Sequence, residues 1–291
     1  MPDAPTTLAR AWEAVPFLRM LAVTVDDLRP DGARVRLPHR HLTSNRNGTL
    51  HGGVSAALAN AAGTLAARAG QDDPMQPGHS VDLVVSYLAP STRPTILAEA
   101  RVLRRGRELT HVDVDVLDDS GTLVLKAVVV HRVASAPDDP PMAAPSPPPI
   151  EFSPLRAGVS GSPFTAHLGV SVQVAGPGRS AVLLPLRDDL LDETGALHEG
   201  AVASLVDSAG GVASWAVDGF NRRGRAWTVG MHLHFHGPDR REALVAYAAT
   251  VGRHRGLHFS TLMIVGQASG RVVASGTITF QIVRPDQPAA A

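Results

Sequence analysis

Leu50-His51-Gly52-Gly53 returns later in the chain as Leu197-His198-Glu199-Gly200, and the match runs far beyond these four residues. Pro16-Phe17 matches Pro163-Phe164, Leu21, Val23 and Val25 match Leu168, Val170 and Val172, and Gly48, Leu58 and Gly63 match Gly195, Leu205 and Gly210. All these pairs are 147 residues apart, the distance from His51 to His198. The offset then slips by one (Pro90 and Pro238, Arg105 and Arg253) and by one more (Gly121 and Gly270). A repeat of this length is a whole domain rather than one unit of a solenoid. The informative positions are therefore those where the copies differ, and they are polar.

The 291 residues suffice for two domains of ordinary size, each with its own core. The expected division is a first domain over 7–133, a linker over 134–154, a second domain over 155–284 and a tail over 285–291. The linker carries Pro147-Pro148-Pro149 and reads as a semi-rigid, extended spacer. Formal net charge is zero, so no basic field points to nucleic acid or an anionic membrane surface. Cysteine is absent, which excludes disulfides, a thiolate nucleophile and thiolate metal sites. The first ten residues lack the pattern of a secretion signal, and no apolar run is long enough to span a bilayer. The expectation is a soluble cytoplasmic protein.

Within the first copy, 7–20 has helical spacing, and 23–27 and 33–37 alternate like strands about the turn Arg29-Pro30-Asp31-Gly32. A polar loop over 38–49 follows. Residues 52–69 are Ala-rich, contain no Pro and end at Gly70; they predict a helix apolar nearly all round, hence buried. Strands are expected at 81–88, 95–103, 108–117 and 122–133. The second copy repeats the order, with a helix at 202–217 and strands near 228–236, 243–252, 257–266 and 272–282. The predicted class is α+β: in each copy an antiparallel sheet wraps around one central helix.

The run Asn45-Arg46-Asn47-Gly48-Thr49-Leu50-His51-Gly52-Gly53, then a helix, then Ser80-Val81-Asp82-Leu83-Val84-Val85-Ser86-Tyr87-Leu88-Ala89-Pro90, resembles the PaaI-type branch of the hotdog-fold acyl-CoA thioesterases. The resemblance covers both copies and implies two tandem hotdog domains packed like that family's usual homodimer. It also implies an acyl-CoA substrate, with coenzyme A as part of the substrate and no separate cofactor. Pairing of two such chains into a homodimer is a further expectation.

Thioester hydrolysis needs a polarised carbonyl, a delivered nucleophile and a leaving thiolate. A thiol with a pKa of about 8.5 departs with little acid assistance. A helix start offers unpaired N–H groups at the positive end of the helix dipole, and glycine lets a ligand approach them. Gly52 and Gly53 stand at such a start. In the resembling family, the first glycine after the His donates to the carbonyl, and the His and an Asn six residues earlier shape the loop; here these are Gly52, His51 and Asn45. The family's carboxylate lies nine residues after the His, which gives Asp207 in the second copy but Asn60 in the first. Asn can be neither a general base nor an anionic nucleophile. The second copy keeps its acid but carries Glu199 for Gly52 and Asp192 for Asn45. Glu199 would set a negative charge beside the developing oxyanion.

The losses are complementary. In the resembling family the loop and the acid come from opposite protomers. That arrangement implies one intact composite site (Asn45, His51, Gly52 and Gly53 with Asp207) and one degenerate site (Asp192, His198 and Glu199 with Asn60). A hydroxyl at the start of the next strand helps position the acid in the family; it is Thr228 beside Asp207, and Ser80 in the other copy. Asp207 would activate water or attack directly. A mid-helix Asp among Ala, Val and Leu needs a reason, because ionised groups are costly inside a core.

Other features have plainer readings. His232, His234 and His236 share one strand face, but with no matching carboxylate in view they read as a polar face, and no metal is expected. The basic turns 104–107, 222–225 and 253–256 read as solvated turns or contacts for coenzyme A phosphates. Two other functions remain open: a non-catalytic acyl-CoA-binding hotdog protein, and a hotdog hydratase or dehydratase, although no Asp-x-x-x-x-His loop precedes either central helix.

Overall fold

The computed structural model describes residues 4–133, 162–219 and 224–284. The linker at 134–154 and the tail at 285–291 lie outside the described residues. In chain order, α1 (Ala4–Glu13) and α2 (Pro16–Leu21) precede the hairpin β1 (Thr24–Arg29) and β2 (Gly32–Pro38). The long helix α3 (Gly52–Ala69) leads to a meander of β3 (Gly78–Tyr87), β4 (Thr95–Arg105), β5 (Leu109–Asp118) and β6 (Leu123–Val133). The second copy repeats this with α4 (Pro163–His167), β7 (Ser171–Gly176), β8 (Arg179–Leu184), α5 (Glu199–Ala216), β9 (Arg225–Phe235), β10 (Leu244–His254), β11 (Leu257–Gly266) and β12 (Val272–Val283).

The strands form one antiparallel sheet of twelve in the order β1-β2-β4-β5-β6-β3-β9-β12-β11-β10-β8-β7. The order reads alike from either end, so the two copies are related by a pseudo-two-fold axis through the β3–β9 pair. There Val84 lies opposite its own counterpart, His232. Helix α3 packs on the strands of the first copy and α5 on those of the second. Both helices are buried along nearly their whole length, as small apolar surfaces on all sides require. The architecture is two tandem hotdog domains fused through one sheet.

Three expected boundaries are corrected. The single helix at 7–20 is two helices, because Pro16 has no N–H to continue α1 and instead opens α2 at its first position. Helix α5 starts at Glu199, three residues before the expected 202, since His198 caps it. Strand β3 starts at Gly78 rather than 81. A register shift between Ser80 and Asp82 marks a bulge at Val81, and the shift between Thr279 and Phe280 marks the same bulge at Val229. The bulge reverses the alternation of inward and outward side chains. Ser80 and Thr228 therefore face the helices, although Leu83, Val85, Met231 and Leu233 beyond them also face inward.

The two long helices meet closely and antiparallel. A Cβ on Gly200 would lie 2.8 Å from the Ala57 Cβ and 2.9 Å from the Phe17 ring, and one on Gly53 would lie 2.8 Å from the Ser204 Cα. The Ser204 hydroxyl reaches the carbonyl oxygens of both Gly53 (3.1 Å) and Gly200 (2.7 Å). Gly200→Ala is expected to lower the unfolding free energy by about 1–3 kcal/mol, because neither neighbour is a flexible chain end. Urea unfolding followed by circular dichroism measures this, and a variant as stable as the parent would contradict the packing described.

Candidate active site

Antiparallel crossing sets the first turn of each helix against the middle of the other. At one end, His51 is the N-cap of α3, and its Nδ1 accepts the Gly53 N–H at 3.0 Å. Its carbonyl accepts from Val54 and Ser55. Among the described residues this leaves the Gly52 N–H as the helix-start donor without a partner. Gly53, expected to share that role, is committed to the cap. A ring nitrogen that accepts the Gly53 N–H places the imidazole proton on Nε2. Burial pushes the His51 pKa down, and nearby Asp207 offsets only part of this. The 3.5 Å separation of His51 Nδ1 from Asp207 Oδ2 is therefore a contact with a neutral ring, not an ion pair.

Asp207 arrives from the second copy, mid-helix on α5. A Cβ on Gly52 would lie 3.0 Å from its Oδ2 and 3.3 Å from the Tyr87 ring, so a larger residue there would press on the carboxylate and the ring. The Thr228 hydroxyl donates to Oδ1 at 2.5 Å, turned inward by the bulge at Val229. Asn45 shapes the loop rather than touching the acid. Its Oδ1 accepts from the Asn47 and Thr49 amides (2.8 and 3.2 Å), and its Nδ2 donates to the Thr49 hydroxyl. Phe164, also of the second copy, packs 5.1 Å from the His51 ring. The structure thus brings His51, Gly52 and Gly53 of the first copy together with Asp207 and Thr228 of the second, while Asn45 acts within the loop that leads to His51.

Sequence reasoning missed Tyr87. Its hydroxyl donates to the Gly52 carbonyl at 3.3 Å, and its ring edge lines the space above Gly52. Burial first, and Asp207 second, push its pKa well above the usual phenol value, so it is a neutral donor. Its counterpart is Phe235, so the copies differ here at a polar atom, the signal used for the other positions.

The opposite end is built from the same elements with different side chains. His198 caps α5 through a Gly200 N–H bond of 2.9 Å, stacks on Phe17 at 4.7 Å, and is pushed down to about 4 by burial. Glu199 is buried and points at Asn60. Its carboxylate accepts from the Ser80 amide at 2.8 Å and from Asn60 Nδ2 at 3.3 Å, and Asn60 also donates to the Ser80 hydroxyl at 2.8 Å. Arg240, the counterpart of Thr92, is buried beside them. It donates to the Leu197 and Gly237 carbonyls at 2.8 Å and lies 3.3 Å from Asp192 and 3.8 Å from Glu199. Arg68 of the first copy joins Glu193, whose counterpart is Arg46.

Two arginines of the basic turns are engaged within the protein. Arg105 donates to the Ala66 and Ala67 carbonyls, capping the end of α3, and Arg253 pairs with Asp218 at 2.9 Å. Arg222 and Arg223 lie outside the described residues. The three histidines do not cluster as a set: His236, just past the end of β9, bonds Ser275, while His232 and His234 of β9 turn to Asp82 of β3. The carboxylate that the sequence reading did not find is thus supplied by the neighbouring strand.

Known proteins place this architecture. Residues 47–125 match the sequence profile of the thioesterase superfamily. A protein of Halobacterium salinarum, named provisionally as an esterase, is 33% identical over 110 residues, covering 36% of this chain and 72% of its own length. Acyl-coenzyme A thioesterase 13 of Mus musculus is 30% identical over 94 residues, 32% of this chain and 66% of that protein. A solved hotdog-fold protein of unknown function from Alicyclobacillus acidocaldarius superposes with a TM-score of 0.65 at 19% identity, covering 94% of this chain and 98% of that one. No helix among the described residues is long and apolar enough to cross a membrane. With its two copies folded as fused hotdog domains, the chain belongs to the thioesterase superfamily.

Proposed function

We propose that the chain hydrolyses an acyl-CoA thioester at a single composite site, where α3 supplies the polarising group and α5 the acid. The observation that carries this reading is the placement of Asp207 of one copy against the Gly52 start of the other, with the equivalent space opposite Asn60 filled by Glu199. The thioester carbonyl oxygen would accept from the Gly52 N–H, at the positive end of the α3 dipole; one such donor lowers a barrier by roughly 3 kcal/mol. Thr228 holds Asp207 Oδ1, which leaves Oδ2 facing the Gly52 turn. From there the carboxylate takes a proton from water as the hydroxide adds to the carbonyl carbon. Collapse breaks the C–S bond, and the departing thiolate recovers the proton as coenzyme A thiol. Neutral His51 serves by fixing the Gly53 amide, and so the aim of the Gly52 N–H.

The second space reads as sealed. Its amide-bearing turn is covered by the Glu199 side chain, and Arg240 and Asp192 complete a buried charged cluster there. Each end of the helix pair carries one carboxylate in contact with the opposite helix, from mid-helix at the working end and from the first turn at the other. Burial raises the Glu199 pKa above 4.5, with Arg240 and the Ser80 and Asn60 bonds opposing the shift.

Two experiments test these readings. Thiol release from short, long-chain and aryl acyl-CoAs is expected to fall by about 100-fold to 10,000-fold in Asp207→Asn, with the thermal unfolding curve retained, the range typical of a lost general base. Asn60→Ala is expected to change the rate by less than roughly threefold, since it touches only the other end; equal losses from both would sink the single-site reading. For Glu199, a raised folded-state pKa means that the native state binds more protons than the unfolded chain between 4.5 and the higher native value. Its contribution is fully present below 4.5 and is lost as pH rises through the native value. The stability of the parent relative to Glu199→Gln is therefore expected to decline as pH is raised from 4.5, measured by urea unfolding at a series of pH values. A difference independent of pH would contradict the buried position assigned to this carboxylate.

A further inference from the structure

On the outer face of the sheet, at the seam between the two copies, the bulges that turn Ser80 and Thr228 inward send Asp82, His232 and His234 outward. Asp82 pairs with His234 in the β3–β9 register, and His232 lies one diagonal step away. His232 Nε2 and His234 Nδ1 both lie 2.8 Å from the same oxygen, Asp82 Oδ1, and the two rings are 4.2 Å apart. All three potential ligand atoms are within 4.8 Å of one another. The residues are half-exposed, so an ion could enter from solvent. Other outer-face carboxylates are neutralised by cations; Asp113 and Asp115, for example, share Lys126. Among the described residues, Asp82 forms no ion pair with Arg or Lys and has only the two imidazoles.

We infer that Asp82, His232 and His234 form a binding site for one divalent transition-metal ion, of the zinc class, spanning the β3–β9 seam. Two imidazole nitrogens and one carboxylate oxygen are the donor types that such an ion takes, and a three-ligand set leaves a position for water. Bonds of about 2.0–2.2 Å in tetrahedral geometry separate ligand atoms by roughly 3.3 Å. The N–O distances of 2.8 Å would thus open by about half an ångström, within reach of side-chain rotation at half-exposed positions. The stoichiometry follows from broken symmetry. The counterparts of Asp82, His232 and His234 are Gly230, Val84 and Ser86, which cannot repeat the set, so the site occurs once per chain. Its ligands come from both copies, so a bound ion cross-links the two hotdog domains on the face opposite the candidate active site, as a clamp independent of the hydrolytic chemistry.

The test is zinc chloride titrated into untagged, metal-stripped full-length protein by calorimetry, with cobalt(II) as an absorbing probe of coordination geometry. The expected result is one zinc per chain at micromolar affinity or tighter, tetrahedral-type cobalt absorption, and a higher thermal unfolding midpoint in zinc. Asp82→Asn and His234→Gln should each weaken binding by at least about 100-fold, more than the loss of a group that only supports a ligand, while His236→Ala should bind as the parent does. Absence of zinc binding in the micromolar range would overturn the inference. So would retained affinity in both ligand variants, which would place the ion at another histidine.

Discussion

Everything in this molecule hangs on the antiparallel crossing of α3 and α5. Gly53 lies against Ser204, and Gly200 lies against Ala57 and Phe17, closer than any side chain at the glycines would allow. That contact brings the first turn of each helix, with its uncompensated N–H, beside the ninth residue of the other. A helix start is electropositive and a buried carboxylate is costly when alone, so the two suit each other. The fold thus sets two equivalent places, one at each end of the pair, where the start of one helix faces the middle of the other. The outer sheet, the cross-copy packing of Phe17 on His198 and Phe164 on His51, and the caps at both histidines hold that crossing in register.

Fusion of two copies in one chain frees the two places to diverge. Where Asp207 supplies the carboxylate from mid-helix, glycine at position 52 leaves it room, since a Cβ there would lie 3.0 Å from its Oδ2. Where the mid-helix residue is Asn60, the first turn can carry a carboxylate of its own, and Glu199 does so. Burying that charge then calls for compensation, which Arg240, Ser80 and Asn60 provide. One substitution at the helix start and one in the helix middle are therefore coupled at each end, through a single buried charge that either helix can contribute.

Much of this was legible in the sequence because it is carried by spacing. The constant offset revealed two domains, the Pro-free Ala-rich run revealed the central helix, and Asn60 against Asp207 revealed complementary losses. What escaped depends on contacts between strands distant in sequence. Asp82 meets His234 only because β3 pairs with β9, and Arg240 reaches Glu199 from a turn after β9. Thr228 turns inward by virtue of parity around a bulge, which no alternation pattern anticipates. Tyr87, inward by plain alternation with Leu83 and Val85, meets Gly52 only because β3 packs beside the start of α3. The break at Pro16 was visible as a residue, but its consequence was misjudged: proline at a first helical position opens a helix as readily as it ends one.

The central claim is that one of the two symmetry-related places takes the substrate and the other is closed. Its most direct test is the binding stoichiometry of a non-hydrolysable thioether analogue of an acyl-CoA, measured by calorimetry on the intact chain. The account predicts one analogue per chain. Two analogues per chain would contradict it, since Glu199 and Arg240 would then not seal the second place.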